Sequence, residues 1–304
     1  MTRVGAEKTG MSSPVMNEVE TLRQAALAKV RNEEYEEALS LYDEALASAT
    51  DEEIRELLTI NKADTLIAIE RGGPEVQQLP MILMRRRNHH HTFLASYALM
   101  YKHRLQNEAK RGIFYGQVAL DAAIAASEPM WKLGALNELG LIYETDSQFA
   151  AAIDCFEQAL ALIDAVSDQG DQRFGRVVII QNLAYAKLQV GEIKEAIERI
   201  HGVLDKIQVP SGVADSNLDL CYGYLELEDY DHARKYGEVA LAHAAEPRQI
   251  RNAHYLLGEV AYKLGDIETA DFHFGELARQ YPEFRNLKSL LFAIDLRSMV
   301  NFRL

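Results

Sequence analysis

The chain has 304 residues, 48% of them hydrophobic, and a formal net charge of −14. That hydrophobic share supports a sizeable core and excludes global disorder. The acidic balance argues against a protein whose main task is to wrap DNA or RNA, because phosphate binding needs a broad positive surface.

Residues 1–16 have no apolar stretch of the kind a signal peptide needs and are expected to form a mobile tail. Ser13-Pro14 marks the expected start of order, since Pro suits the first turn of a helix. No apolar run is long enough to cross a bilayer, and the two cysteines, Cys155 and Cys221, lie inside apolar helical patterns. Both features point to a cytoplasmic protein without a disulfide scaffold.

From residue 17 onward the pattern is helical, with no strand-period alternation. "LRQAALAKVRNEEYEEALSLYDEAL" (22–46) supplies Ala26, Tyr35, Ala38, Tyr42 and Ala45. "NKADTLIAIERGG" (61–73) starts a weaker unit, whose second helix is expected to be irregular because of Gly72-Gly73-Pro74 and Pro80. "RRRNHHH" (85–91) then reads as a solvated loop between units. Residues 93–126 form a second weak unit, with Gly112 and Gly116 in place of larger residues. "NLAYAKLQVGEIKEAIERIHGVL" (182–204) supplies Leu183-Ala184, Gly191, Ala196 and Ile200. "LCYGYLELEDYDHARKYGEVAL" (220–241) supplies Tyr224, Tyr230, Ala233 and Ala240, with Gly237 where an aromatic is expected.

The clearest internal comparison sets "LGALNELGLIYETDSQFAAAIDCFEQALAL" (133–162) beside "NAHYLLGEVAYKLGDIETADFHFGELARQYPEF" (252–284). Leu139-Gly140 matches Leu257-Gly258, and Ala152, Phe156 and Ala159 match Ala270, Phe274 and Leu277. Small residues let two helices approach while Tyr143 and Phe156 fill the space beside them, and a single pair cannot bury both of its apolar faces. The units start near 19, 56, 93, 133, 177, 214 and 251, at spacings of 37, 37, 40, 44, 37 and 37 residues.

These residues resemble the tetratricopeptide repeat (TPR) family, and Pro282 matches the proline that ends its units. The resemblance implies an all-α fold, a right-handed superhelical solenoid of about seven helix pairs over residues 17–285. A C-terminal capping helix is expected over 286–304. There Leu287, Leu290, Leu291 and Ile294 would seal the last unit. The opposite stripe, Phe292, Leu296, Met299 and Val300, would either fold back or form a homodimer or partner contact.

Chemistry is hard to find. There is no Walker, dinucleotide-binding, nucleophile-elbow or His-Glu-x-x-His motif, so no enzyme is expected. Paired carboxylates such as Glu33-Glu34 and Glu36-Glu37 fall at turns and first turns, where negative charge suits the helix end. His89, His90 and His91 do not converge if helical, and no Cys, Asp or Glu beside them completes a metal site. Neither metal nor cofactor is expected. Between 85 and 111, seven Lys or Arg face the single acid Glu108, a local +6. Nucleic acid is still an unlikely partner, because the rest of the chain would repel a long polyanion.

In the family, the first helices of successive units line a concave groove that takes a peptide or protein segment. The resemblance places Tyr97, Tyr101 and Arg104, Asn137, Gln181, Asn182 and Tyr185, Tyr222, and Tyr255 on that surface. Amides match a peptide bond of any sequence, and tyrosines add rigid area with a polar tip. Asn61, Asn137 and Asn182 recur at neighbouring positions, as in the peptide-gripping units of kinesin light chains and bacterial peptide-pheromone receptors. Arg85, Arg86 and Arg87 would form an electropositive lip for an acidic stretch of ligand. Of the family's chaperone-tail clamp only Asn61 is present, so that use is not expected. A receptor for a small signalling peptide, and an RNA-associated repeat protein acting through residues 85–111, are the alternatives.

Overall fold

The computed structural model describes residues 14–165 and 172–280. The expected capping helix, its dimer stripe and residues 1–13 of the expected tail lie outside the described residues. Within the described residues are fourteen α-helices, a short 3-10 turn at Leu204–Lys206, and no strand. They run as α1 (Pro14–Arg31), α2 (Tyr35–Ser48), α3 (Glu52–Ala68), α4 (Pro74–Arg85), α5 (His89–Leu105), α6 (Ala109–Ala126) and α7 (Pro129–Thr145). There follow α8 (Phe149–Ala165), α9 (Gln172–Gln189), α10 (Ile193–His201), α11 (Pro210–Glu226), α12 (Tyr230–His243), α13 (Pro247–Lys263) and α14 (Ile267–Gln280). Each odd-numbered helix opens a pair that the next helix closes.

All seven pairs turn by the same device. One residue takes a left-handed conformation, namely Glu33, Glu70, Asn107, Ser147, Gly191, Glu228 or Gly265, with φ between 55° and 84°. The next N–H then reaches back five residues, as from Glu34 to Lys29 O (2.9 Å), Gln148 to Tyr143 O (2.8 Å) and Asp266 to Ala261 O (2.9 Å). This closure satisfies carbonyls that a helix end leaves bare. The left-handed residues recur at intervals of 37, 37, 40, 44, 37 and 37, the intervals that separate the small-residue registers. Three turns add a side-chain contact in one register: Lys29 pairs with Glu34 and Lys187 Nζ with Glu192 Oε2 (2.6 Å), while His103 Nδ1, an imidazole that burial lowers, hydrogen-bonds Glu108 Oε2 (2.7 Å). Each places a basic group at a helix C-terminus and a carboxylate at the next N-terminus, which suits both helix dipoles.

Close approach within a pair rests on missing side-chain atoms. A Cβ at Gly140 would lie 2.7 Å from Phe156 Cζ, and one at Gly258 would lie 2.6 Å from Phe274 Cδ1. Both rings are fully buried, each contributing about 1.5–3 kcal/mol. Gly237, where an aromatic was expected, faces Leu257: a Cβ there would lie 2.7 Å from Leu257 Cδ2 and 3.1 Å from Cys221 Sγ. The next pair supplies the bulk that this one lacks.

Two sequence expectations need correction. The second helix of the second pair is regular: α4 starts with Pro74 at N1, carries Pro80 inside and buries Val76, Leu79 and Ile82. Burial of that stripe outweighs the one ladder bond that Pro80 forfeits. "RRRNHHH" is not a loop throughout, because α4 runs to Arg85 and α5 begins at His89. Arg86 turns the chain with φ 46°, and Asn88 caps α5 by accepting from His91 N at 2.7 Å.

Packing divides the chain into two compact units, with the boundary between Ala135 and Leu136, inside α7. The first unit holds three apolar clusters, around Tyr42 and Leu58, around Ile60 and Leu79, and around Phe93 and Ala119. In the second, one continuous cluster runs from Ala184 to Leu277.

Candidate functional site

The three recurrent asparagines sit on opening helices: Asn61 on α3, Asn137 on α7 and Asn182 on α9. All three are half-buried. Asn61 Nδ2 and Asn137 Oδ1 are buried and have no hydrogen-bond partner among the described residues. Native folds rarely leave such atoms unmatched, because each forfeits about 1–3 kcal/mol of hydration.

In the second unit, Asn182 and Gln181 line a concavity of about 230 Å³ between α9 and α11, together with Val177, Lys206 and Asp215. Asp215 is held by Arg248 of α13 at 3.0 Å. Gln181 is already engaged: its Nε2 donates to Ser216 Oγ at 2.7 Å and to Gly212 O at 3.2 Å, and the residue is 9% exposed. Tyr185, Tyr222 and Tyr255 are buried as well, at 1%, 8% and 6% exposure, within the cluster that joins α9, α11 and α13. Tyr185 meets Phe149 edge to face at 6.2 Å. In this structure these three rings are inter-repeat packing, and Asn182 is the more accessible amide.

In the first unit the expected face of α5 is assembled. Tyr97 and Tyr101 are half-buried, and the Arg104 guanidinium carbon lies 5.0 Å from the centre of the Tyr101 ring. That geometry is a cation–π contact. Tyr97 leans on Phe93 at 5.5 Å, and Phe93 in turn stacks on Trp131 at 4.9 Å.

The arginine stretch is largely consumed by α3. Buried Glu56 accepts from His91 Nδ1 at 2.8 Å and Arg85 Nη1 at 3.2 Å, and forms an ion pair with Arg87 Nε at 3.4 Å. Arg87 also binds Glu52 at 2.5 Å, and that guanidinium holds the Glu52 carboxyl below the usual carboxylate range. Among the described residues no acidic group pairs with Arg86. Glu56 escaped sequence reasoning, since nothing within α3 shows that Arg85 at the end of α4, Arg87 in the turn after it and His91 at the start of α5 converge on it.

Asp64 also escaped it. One turn beyond Asn61 on the same helix face, its carboxylate is exposed to water. The i, i+3 spacing from Asn61 was the available signal. Cys155 and Cys221 are free and buried, and burial raises the Cys155 thiol to about 11, which leaves it unreactive. Among the described residues no three His, Cys, Asp or Glu are placed to hold a metal, and no helix is long and apolar enough to cross a membrane.

The tetratricopeptide repeat profile matches residues 133–165. No curated protein matches the chain in sequence. Among solved structures, the apo form of RapI is similar with a TM-score of 0.69 and 14% identity, over 94% of this chain and 84% of that one. The apo form of the quorum sensor NprR from B. thuringiensis gives 0.73 and 15%, over 92% and 80%. NprR in complex with its cognate peptide NprX gives 0.65 and 17%, over 92% and 84%. The chain therefore has an all-α helical-repeat fold of tetratricopeptide type, and its 133–165 pair carries the family's repeat in sequence as well.

Proposed function

We propose that the chain is a non-enzymatic scaffold that binds a peptide or protein segment along the opening helices of its repeats. The observation that carries this reading is that half-buried Asn182 lines the concavity of the second unit beside Gln181, with Asn61 and Asn137 half-buried at neighbouring positions of their own opening helices. A side-chain amide at the rim of that concavity can both donate to and accept from an extended peptide backbone. Within the second unit, Asn137 and Asn182 supply the amides, with Gln181, Tyr185, Tyr222 and Tyr255 as the packed wall of that unit. Within the first unit, Tyr97 and Tyr101 supply apolar area and Arg104 charge for an acidic side chain. Capture from native lysate by wild type and by an Asn137→Ala, Asn182→Ala double variant tests this. Loss of specific proteins supports the reading, and identical capture by both removes it.

A narrower reading is a receptor for a small signalling peptide. It is favoured by the fold likeness to NprR bound to NprX. Calorimetric titration with short synthetic peptides separates a small-peptide receptor, which they saturate, from a scaffold that needs a folded partner. The RNA reading is weakened by the ion pairs that occupy Arg85, Arg87 and Arg111. No retention on heparin at low salt removes it.

A further inference from the structure

A cavity in the first unit has none of Asn61, Asn137 or Asn182 in its lining. It is a cleft of about 970 Å³ between the closing helices α4 and α6, floored by the first turn of α5. Its walls are Pro80, Leu83 and Met84 on one side and Phe114, Val118 and Ala122 on the other. The α6 residues follow i, i+4, i+8 spacing, an apolar stripe of the kind a helix presents to a partner. Met84 is 78% exposed and Phe114 62%, well beyond what an isolated surface side chain requires. The cleft stays open because α4 is short, ending at Arg85 where Arg86 turns the chain, while α6 runs for 18 residues.

Charge selects the occupant. Arg86 and Arg87 line the cleft; Arg87 is tied to Glu52, whereas Arg86 pairs with no carboxylate among the described residues. The acid in the lining, Asp121, is engaged by the Gln117 amide at 3.1 Å. Asp121 keeps its charge on the α6 wall, so an anionic group of an occupant is received at the other end of the cleft, by Arg86 on the turn after α4. The chain's own terminal segments outside the described residues, 1–13 and 281–304, are both net basic, so they are poorly matched to it.

We propose that this cleft is a second docking site, for a short amphipathic helix of another protein with an acidic residue beside its apolar face. An apolar ridge on each wall, with flexible Met84 on one and Phe114 as an aromatic anchor on the other, suits helix-in-groove binding. The α6 wall from Phe114 to Ala125 is about 16 Å long, room for three helical turns.

Fluorescence anisotropy on the full chain tests it with two labelled synthetic helical peptides. Both carry the same leucine stripe over three turns, one flanked by glutamates and the other by lysines. The acidic peptide is expected to bind at least tenfold more tightly. Phe114→Asp, a change at an exposed position, is expected to weaken it at least tenfold, and Arg86→Glu to abolish the preference for acid. The Asn137→Ala, Asn182→Ala variant is expected to bind as wild type does, which separates this site from the one proposed above. Equal binding of both peptides, no binding of either, or indifference to Phe114→Asp overturns the proposal. So does a wild-type dimer that Phe114→Asp converts to monomer in sedimentation, because a second copy would then be the occupant.

Discussion

Gln181 Nε2 donates to Ser216 Oγ at 2.7 Å, a bond between two buried side chains that joins α9 to α11. The amide thus holds successive repeats together from the rim of the concavity that Asn182 also lines. Removing it leaves buried Ser216 to find another partner. Gln181→Ala is expected to lower stability by about 1–3 kcal/mol, against less than about 0.5 kcal/mol for half-exposed Asn182→Ala. Urea denaturation of both variants checks the contrast. Equal losses would mean that the Gln181 bond contributes nothing.

Gly258 packs against a ring that cannot retreat. Gly258→Ala is expected to cost about 1–3 kcal/mol through overpacking against Phe274, although alanine is the better helix former. Adding Phe274→Leu should recover part of that loss, so thermal melts of the single and double variants show whether the contact is the cause.

The His254–His273 pair makes the second unit sensitive to acid. Their Nδ1 atoms lie 3.0 Å apart between α13 and α14, so one ring must donate while the other accepts as a neutral base. Burial lowers both imidazoles, His273 to about 4, with Glu276 and Arg279 as the charged neighbours. The unfolded chain takes up protons at its ordinary value near 6.5, so it binds more of them than the fold between 6.5 and 4. Stability is expected to be fully present above pH 6.5 and to fall as pH drops toward 4. His273→Gln should flatten that slope in melts taken across the range, and an unchanged slope would assign the acid sensitivity elsewhere.

Five of the seven turns hold a left-handed residue other than glycine. Glu70→Gly relieves that conformation at an exposed position and is expected to stabilise by about 0.5–1 kcal/mol, less the entropy glycine adds to the unfolded chain. Gly265→Ala should do the reverse by a similar amount. Chemical denaturation midpoints distinguish these outcomes from no effect.

Much of the architecture was legible along the chain, because a helix pair writes its contacts locally. Gly140 and Phe156 are sixteen residues apart and Gly258 and Phe274 the same, within one unit in each case, so their recurrence revealed the repeat directly. The turn intervals follow for the same reason. The relations between units were hidden. Helical spacing brings Tyr185, Tyr222 and Tyr255 onto marked faces, yet only the packing of α9, α11 and α13 makes those faces interior. The clamp of Arg85, Arg87 and His91 on Glu56 joins residues about thirty positions apart, with no local pattern to announce it. The sequence by itself determined which helices pair and where they turn, since these depend on neighbours within a few turns of chain. Only the tertiary structure decided which polar and aromatic groups remain available to a ligand, since burial and ion pairing depend on surfaces supplied by the next repeat.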